Sequence, residues 1–196
     1  MDNVDRMEDT SSNNHYSKSP SWDGWSSNVK YFGLELQSPY AQYLLDGTKS
    51  IETRGYPIPG ALLSKRIEVL ESSKGVDGMS SIPDRVELTA PLTSTENVND
   101  DGVSSSRMLH RRGWCTFSHC FRYATAIQFE ADSHKHLVDA SSGYGWDETK
   151  PMYGWIVGSC ELHVGENNTK ADCVHYFAER RMRSIFEIVT ENRRSE

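Results

Sequence analysis

The sequence predicts an α+β chain dominated by strands, a small and partly closed β-barrel with short flanking helices. Three observations predict this class. Apolar residues recur in short alternating runs, as in Tyr31-Phe-Gly-Leu-Glu-Leu36 and Ser184-Ile-Phe-Glu-Ile-Val189, the pattern of half-buried strands. Only one segment carries a helix start and a helix stop together. Several strands with few helices between them require non-local pairing, which a sheet closing on itself supplies.

Residues 1–30 are rich in Ser, Asn and Asp and have no apolar run, so they read as a disordered tail, and order is expected to begin near Tyr31. Ser38 to Gly47 reads as a short helix. Ser38 is placed to cap the free N–H groups, Pro39 suits the first turn, and Gly47 suits the left-handed stop. Tyr40, Ala41, Leu44 and Leu45 fall on one side of it, an apolar stripe suited to plugging the end of a barrel. A strand through Ile51 to Arg54 follows, and Gly55, Pro57, Pro59 and Gly60 force a turn before a second strand from Arg66 to Leu70.

From 75 to 106 the chain is polar, acidic and without periodicity, which reads as a flexible insertion rather than a structural element. Gly113 to Tyr123 is strand-like, and Ser133 to Val138 suits a helical turn. A Gly-rich loop from Ser141 to Lys150 precedes a strand from Tyr153 through Val157 to Val164, and the last strand is Ser184 to Val189. The folded unit is thus expected over 31–190, with a charged tail at 191–196.

The net charge of −7 opposes phosphate binding only if it is spread over the fold. Residues 74–106 carry −4 and residues 1–30 carry −2, whereas 107–196 are neutral; a local basic cleft is therefore compatible with the total. Arg180, Arg181 and Arg183, with Arg107, Arg111 and Arg112, form two candidate basic patches. The N-terminus lacks the apolar core of a signal peptide, and no run approaches the ~20 apolar residues of a membrane helix. Cys115, Cys120, Cys160 and Cys173 stand in apolar, strand-like context and read as free thiols. His119 between Cys115 and Cys120 lacks zinc-ligand spacing, and His134 with His136 has no partner pair, so neither metal nor cofactor is expected. These features imply a cytoplasmic or nuclear compartment and no membrane partner.

The chemistry-bearing stretch runs from Gly47 to Arg54. If Ile51 points into the barrel, alternation sends Ser50, Glu52 and Arg54 to the opposite face, and Lys49, rarely buried as a residue type, is expected in the turn with its amine at the edge of the same cleft. A cation, a carboxylate and a guanidinium would then surround a space the size of a nucleobase or phosphate. The plainer alternatives are a structural Glu52–Arg54 ion pair and a solvated Lys49. Tyr40, Tyr153 and Trp155 are candidate stacking platforms, with core packing as their alternative role.

Leu34 to Arg54, with Gly47, Lys49, Glu52 and Arg54 matching a Gly-x-Lys-x-x-Glu-x-Arg signature after a small helix, resembles the opening of the ASCH family, a branch of the PUA-like β-barrels. The resemblance extends more weakly over most of 31–189, and the 75–106 segment departs from it. It implies a PUA-like barrel and a nucleic-acid-binding module with RNA or another single-stranded nucleic acid as partner. Lys49, Ser50, Glu52, Arg54, Tyr40, Tyr153 and Trp155 are the expected contact residues. It also implies a second possibility: some members are amidohydrolases acting on acetylated cytidine through a Lys and a Thr of this stretch. Lys49 and Glu52 would then be catalytic, with Glu52 standing where those enzymes carry Thr. A third reading is a protein-interaction adaptor working through the acidic loop or the tail.

Overall fold

The computed structural model describes residues 31–72, 82–89, 109–163 and 174–192; the expected N-terminal tail, most of the 75–106 segment and residues 193–196 lie outside them. The described chain is an α+β fold in which one curled sheet carries short helices at its margins. Its strands are β1 (Tyr31–Gln37), β2 (Ile51–Arg54), β3 (Ile67–Ser72), β4 (Arg85–Thr89), β5 (Leu109–Arg122), β6 (Tyr153–Leu162), β7 (Val174–Met182) and β8 (Ile185–Asn192). The order is β2-β6-β5-β3-β1-β8-β7-β4, and β4 pairs again with β5. Strands β5, β3, β1, β8, β7 and β4 thus form a hydrogen-bonded ring, while β6 and β2 extend from β5 as an open flap.

Two cores follow from this topology. Leu70, Leu88, Leu109, Ala178, Phe186 and Ile188, with Tyr31 packed against them, come from all six ring strands and fill the ring. The other core gathers Leu34, Leu36, Ile67, Val69, Cys115, Phe117 and Trp155 between the β1-β3-β5 wall and the flap. It is plugged by α1 (Tyr40–Leu45), whose Ala41 and Leu44 are fully buried. Each such Leu contributes about 1.5–3 kcal/mol. Strand β5 serves both cores because its register against β3 shifts between Arg111 and Gly113, which re-aims the side chains that follow. At Gly113 a Cβ would lie 2.2 Å from the Glu161 carbonyl oxygen, so only glycine allows this close approach of β5 and β6.

Two expectations are corrected. Ser38 does not cap α1; its N–H donates to the Ser72 carbonyl (2.9 Å), continuing the β1–β3 ladder, and the helix begins at Tyr40. Gly47 does take the left-handed conformation, at φ 82°. Within the 75–106 segment, Arg85–Thr89 is a strand: it needs only Leu88 to face the ring core, with Val86 packed beside it, so it shows little apolar periodicity. Strand β7 was not foreseen either, because its ring-facing Ala178 is small and its apolar and polar residues come in blocks rather than alternating.

Two short helices, α2 (Ala126–Ala131) and α3 (Ser133–His136), follow β5. Thr125 caps α2 by accepting from the Gln128 N–H. No described helix is long and apolar enough to cross a membrane.

Candidate functional site at the open barrel mouth

Asp46 accepts the Thr48 N–H (2.9 Å) and the Lys49 N–H donates to the Tyr43 carbonyl (2.7 Å). This turn, with Gly47 at its corner, aims Lys49 inward. The Lys49 side chain is only 3 % exposed, which corrects the expectation of an amine at the rim. Burial is tolerated because the ammonium is well supplied with partners. It donates to the His136 carbonyl (2.7 Å), lies 3.3 Å from Glu52 Oε2, and sits 5.0 Å from the centre of the Tyr40 ring. Burial lowers the Lys49 pKa, with Glu52 opposing the shift.

Glu52 is buried as well, and its Oε1 lies 2.8 Å from Arg54 Nε. Arg54 then donates through Nη2 to the Glu35 carbonyl (2.8 Å), bridging the gap between β2 and β1 that no strand ladder closes. Burial acts to lower the Arg54 pKa, but the neighbouring Glu52, with smaller help from Tyr56, Glu35 and Tyr144, leaves it raised. Two atoms of this cluster, Glu52 Oε2 and Arg54 Nε, make no aligned hydrogen bond. Glu52 Oε2 is wholly enclosed and faces the Lys49 ammonium, so one carboxylate oxygen is answered by Lys49 and the other by Arg54.

The expected facing of β2 is also corrected. Glu52 stands opposite Trp155 and Arg54 opposite Tyr153, so both project to the face on which Trp155 packs, while Ile51 is buried beneath the other face. Both sides of this short strand are covered, which alternation alone cannot order. Trp155 is wholly buried, edge-on to Phe117 and Tyr56, and donates to the Tyr56 carbonyl (3.2 Å); it is a core residue and offers no face to a base. Tyr40 and Tyr153 are half-buried and flank the cluster. The Ser50 side chain is exposed, and its backbone is committed to Lys135 and Val157.

Sequence reasoning missed three neighbours that the fold recruits. Glu35 supplies the carbonyl for Arg54. Tyr144 donates to Gln37 Oε1 (3.0 Å) near the same mouth. His136, in the foreseen helical turn, is fixed as a neutral tautomer: its Nδ1 accepts the Val138 N–H (3.0 Å), so Nε2 carries the proton and donates to the Phe129 carbonyl (3.0 Å). No local spacing signals any of these.

The candidate basic patches are largely neutralised. Arg111 forks onto the buried Glu68, Arg112 pairs with Glu71, Arg180 with Glu35 and Asp84, and Arg181 with Glu187; Arg107 lies outside the described residues. Cys115, Cys120 and Cys160 are free, and Cys173 lies outside the described residues. Among the described residues no group of three or more His, Cys, Asp or Glu is placed to hold a metal. Two shallow grooves lie beyond the cluster. One of about 310 Å³ is bordered by Arg122, Tyr123, Trp146, Lys150 and Pro151, and one of about 410 Å³ by Phe121, Arg122, Gln128 and Asp132.

No protein-family model matches the chain, and no curated protein matches it. Among solved structures it is similar to two mutant forms of the ZmASCH protein from Zymomonas mobilis. The identities are 11 % and 14 % and the TM-scores 0.41 and 0.42, over 68 % of this chain and 71 % and 72 % of those chains.

Proposed function

We propose that the protein is an ASCH-like module that binds single-stranded RNA by admitting one unstacked base to the open barrel mouth. The observation that carries this reading is the Lys49–Glu52–Arg54 cluster, in which the Arg54 guanidinium is the partly exposed member. A base edge presents carbonyl acceptors to a guanidinium. A phosphate suits it less well, because Glu52 repels it and Lys49 is already spent. The half-buried rings of Tyr40 and Tyr153 border the space in which a base would stack. Titration of a labelled single-stranded RNA by fluorescence anisotropy at low salt tests the reading. Binding weakened about tenfold or more by Arg54→Gln, measured well below that variant's own melting midpoint, is expected; no binding by the parent protein refutes it.

The hydrolase reading has one observation in its favour, a Lys of lowered pKa beside a carboxylate. A carboxylate at 52 has no hydroxyl to activate as a nucleophile, and both of its oxygens already face cations. No appreciable deacetylation of acetylcytidine is expected by chromatography; turnover abolished by Glu52→Gln would favour the enzyme.

A further inference from the structure

Most described arginines are spoken for by carboxylates; Arg122 and Arg183 are the two with no carboxylate partner among the described residues. Arg183 lies over the Tyr56 ring. Arg122 is exposed, ends β5, and borders both grooves. Its position in the sheet links it to the mouth. Arg54 is paired across the ladder with Tyr153, and Tyr153 in turn with Arg122. The three stand in one row across β2, β6 and β5, spanning roughly 10 Å, two inter-strand spacings. Beyond Arg122 the groove wall carries the half-buried Trp146 and the exposed Lys150, with Glu148 as the carboxylate of the lining. Lys150 is held by Asp147 (2.8 Å), which leaves Arg122 as the uncommitted cation.

We infer that a single-stranded nucleic acid with one base in the barrel mouth continues over Tyr153 into this groove, where Arg122 pairs with a backbone phosphate and Trp146 stacks on the next base. The inference rests on the mouth as base site and adds the path of the flanking strand. A guanidinium free of protein acceptors can offer its paired N–H groups to a phosphodiester, and an indole beside it is the sequence-tolerant platform that single strands use. The row supplies cation, ring and cation in succession, so polarity and stacking alternate along the track as they do along the strand.

The test uses the full chain with two probes: a labelled mixed-sequence RNA of about a dozen nucleotides, and the free nucleosides, which reach only the mouth. Arg122→Ala is expected to weaken RNA binding about tenfold and to lower the salt slope by about 0.7, one phosphate contact of a single strand. Arg122→Lys should restore the slope. Trp146→Ala should weaken RNA binding about fivefold or more. Nucleoside binding, followed by saturation-transfer NMR, should be unchanged in all three. Parent-like RNA affinity and salt slope in Arg122→Ala overturn the track while leaving the mouth reading intact. RNA binding that falls in Arg122→Ala but not in Arg54→Gln, with no nucleoside signal, keeps the groove and overturns the mouth. No RNA binding by the parent overturns both.

Discussion

Removing the Glu52 charge by Glu52→Gln should be among the costliest single-charge changes in the chain. The carboxylate is shared by an ammonium at 3.3 Å and a guanidinium at 2.8 Å, all largely withdrawn from water. At an effective dielectric near 20, each attraction is about 5–6 kcal/mol, offset by a desolvation cost of several kcal/mol per ion. The intact cluster thus gives little net stability, but deleting its only carboxylate leaves Lys49 buried and uncompensated, at about 3–5 kcal/mol. Lys49→Met keeps the volume and leaves Glu52 paired with Arg54, so it should cost only about 1–2 kcal/mol, chiefly the bond to the His136 carbonyl. The double variant should fall short of the sum by about 1–3 kcal/mol. Glu52→Gln should also regain stability as pH rises. Without Glu52 the Lys49 pKa drops further below its unfolded value of about 10.4, so between those two values the unfolded chain holds the extra proton and raising the pH favours the fold. Urea titrations followed by tryptophan fluorescence measure all three variants. Equal costs for Lys49→Met and Glu52→Gln, or additivity in the double variant, would refute the shared-carboxylate reasoning.

Two further outcomes are expected. Burial lowers the His136 and His110 pKa values, so their contribution is complete above the unfolded value of about 6.5 and is lost as pH falls below it, by up to about 1.4 kcal/mol per pH unit for each proton. His136→Gln should flatten this part of a stability–pH profile, and an unchanged slope would count against a neutral His136. Gly113→Ala places a methyl 2.2 Å from a backbone carbonyl, so β5 and β6 must separate, and a loss of about 3 kcal/mol or more is expected in thermal melts; a parent-like midpoint would contradict the close approach.

How much of this was legible in the sequence depended on where each signal lay. The β1 strand, α1 with its Gly47 stop, and β2 were readable because alternation, one apolar stripe and turn residues agree over short spans. Strands β4 and β7 were not, since a strand in a narrow ring turns only one or two small or aliphatic residues inward, here Leu88 and Ala178. Lys49, Glu52 and Arg54 were identified as a group, but their depth was not. A lysine is read as exposed until a carboxylate, a carbonyl and a ring are known to converge on it, and the carbonyl of His136 is 87 residues away. Trp155 illustrates the reverse, for aromatic identity does not distinguish a platform from a core residue.

Because β1, β3 and β5 wall off both cores, neither half of the barrel is a separable part. A fragment ending after β3 would carry two of the shared strands yet complete neither interior, and one starting at β5 would lack the strands that face it on each side. The chain should therefore resist dissection, melting in one cooperative step with a single urea slope. Amide exchange should be slowest along the shared wall and faster in β2, whose sole ladder partner among the described residues is β6.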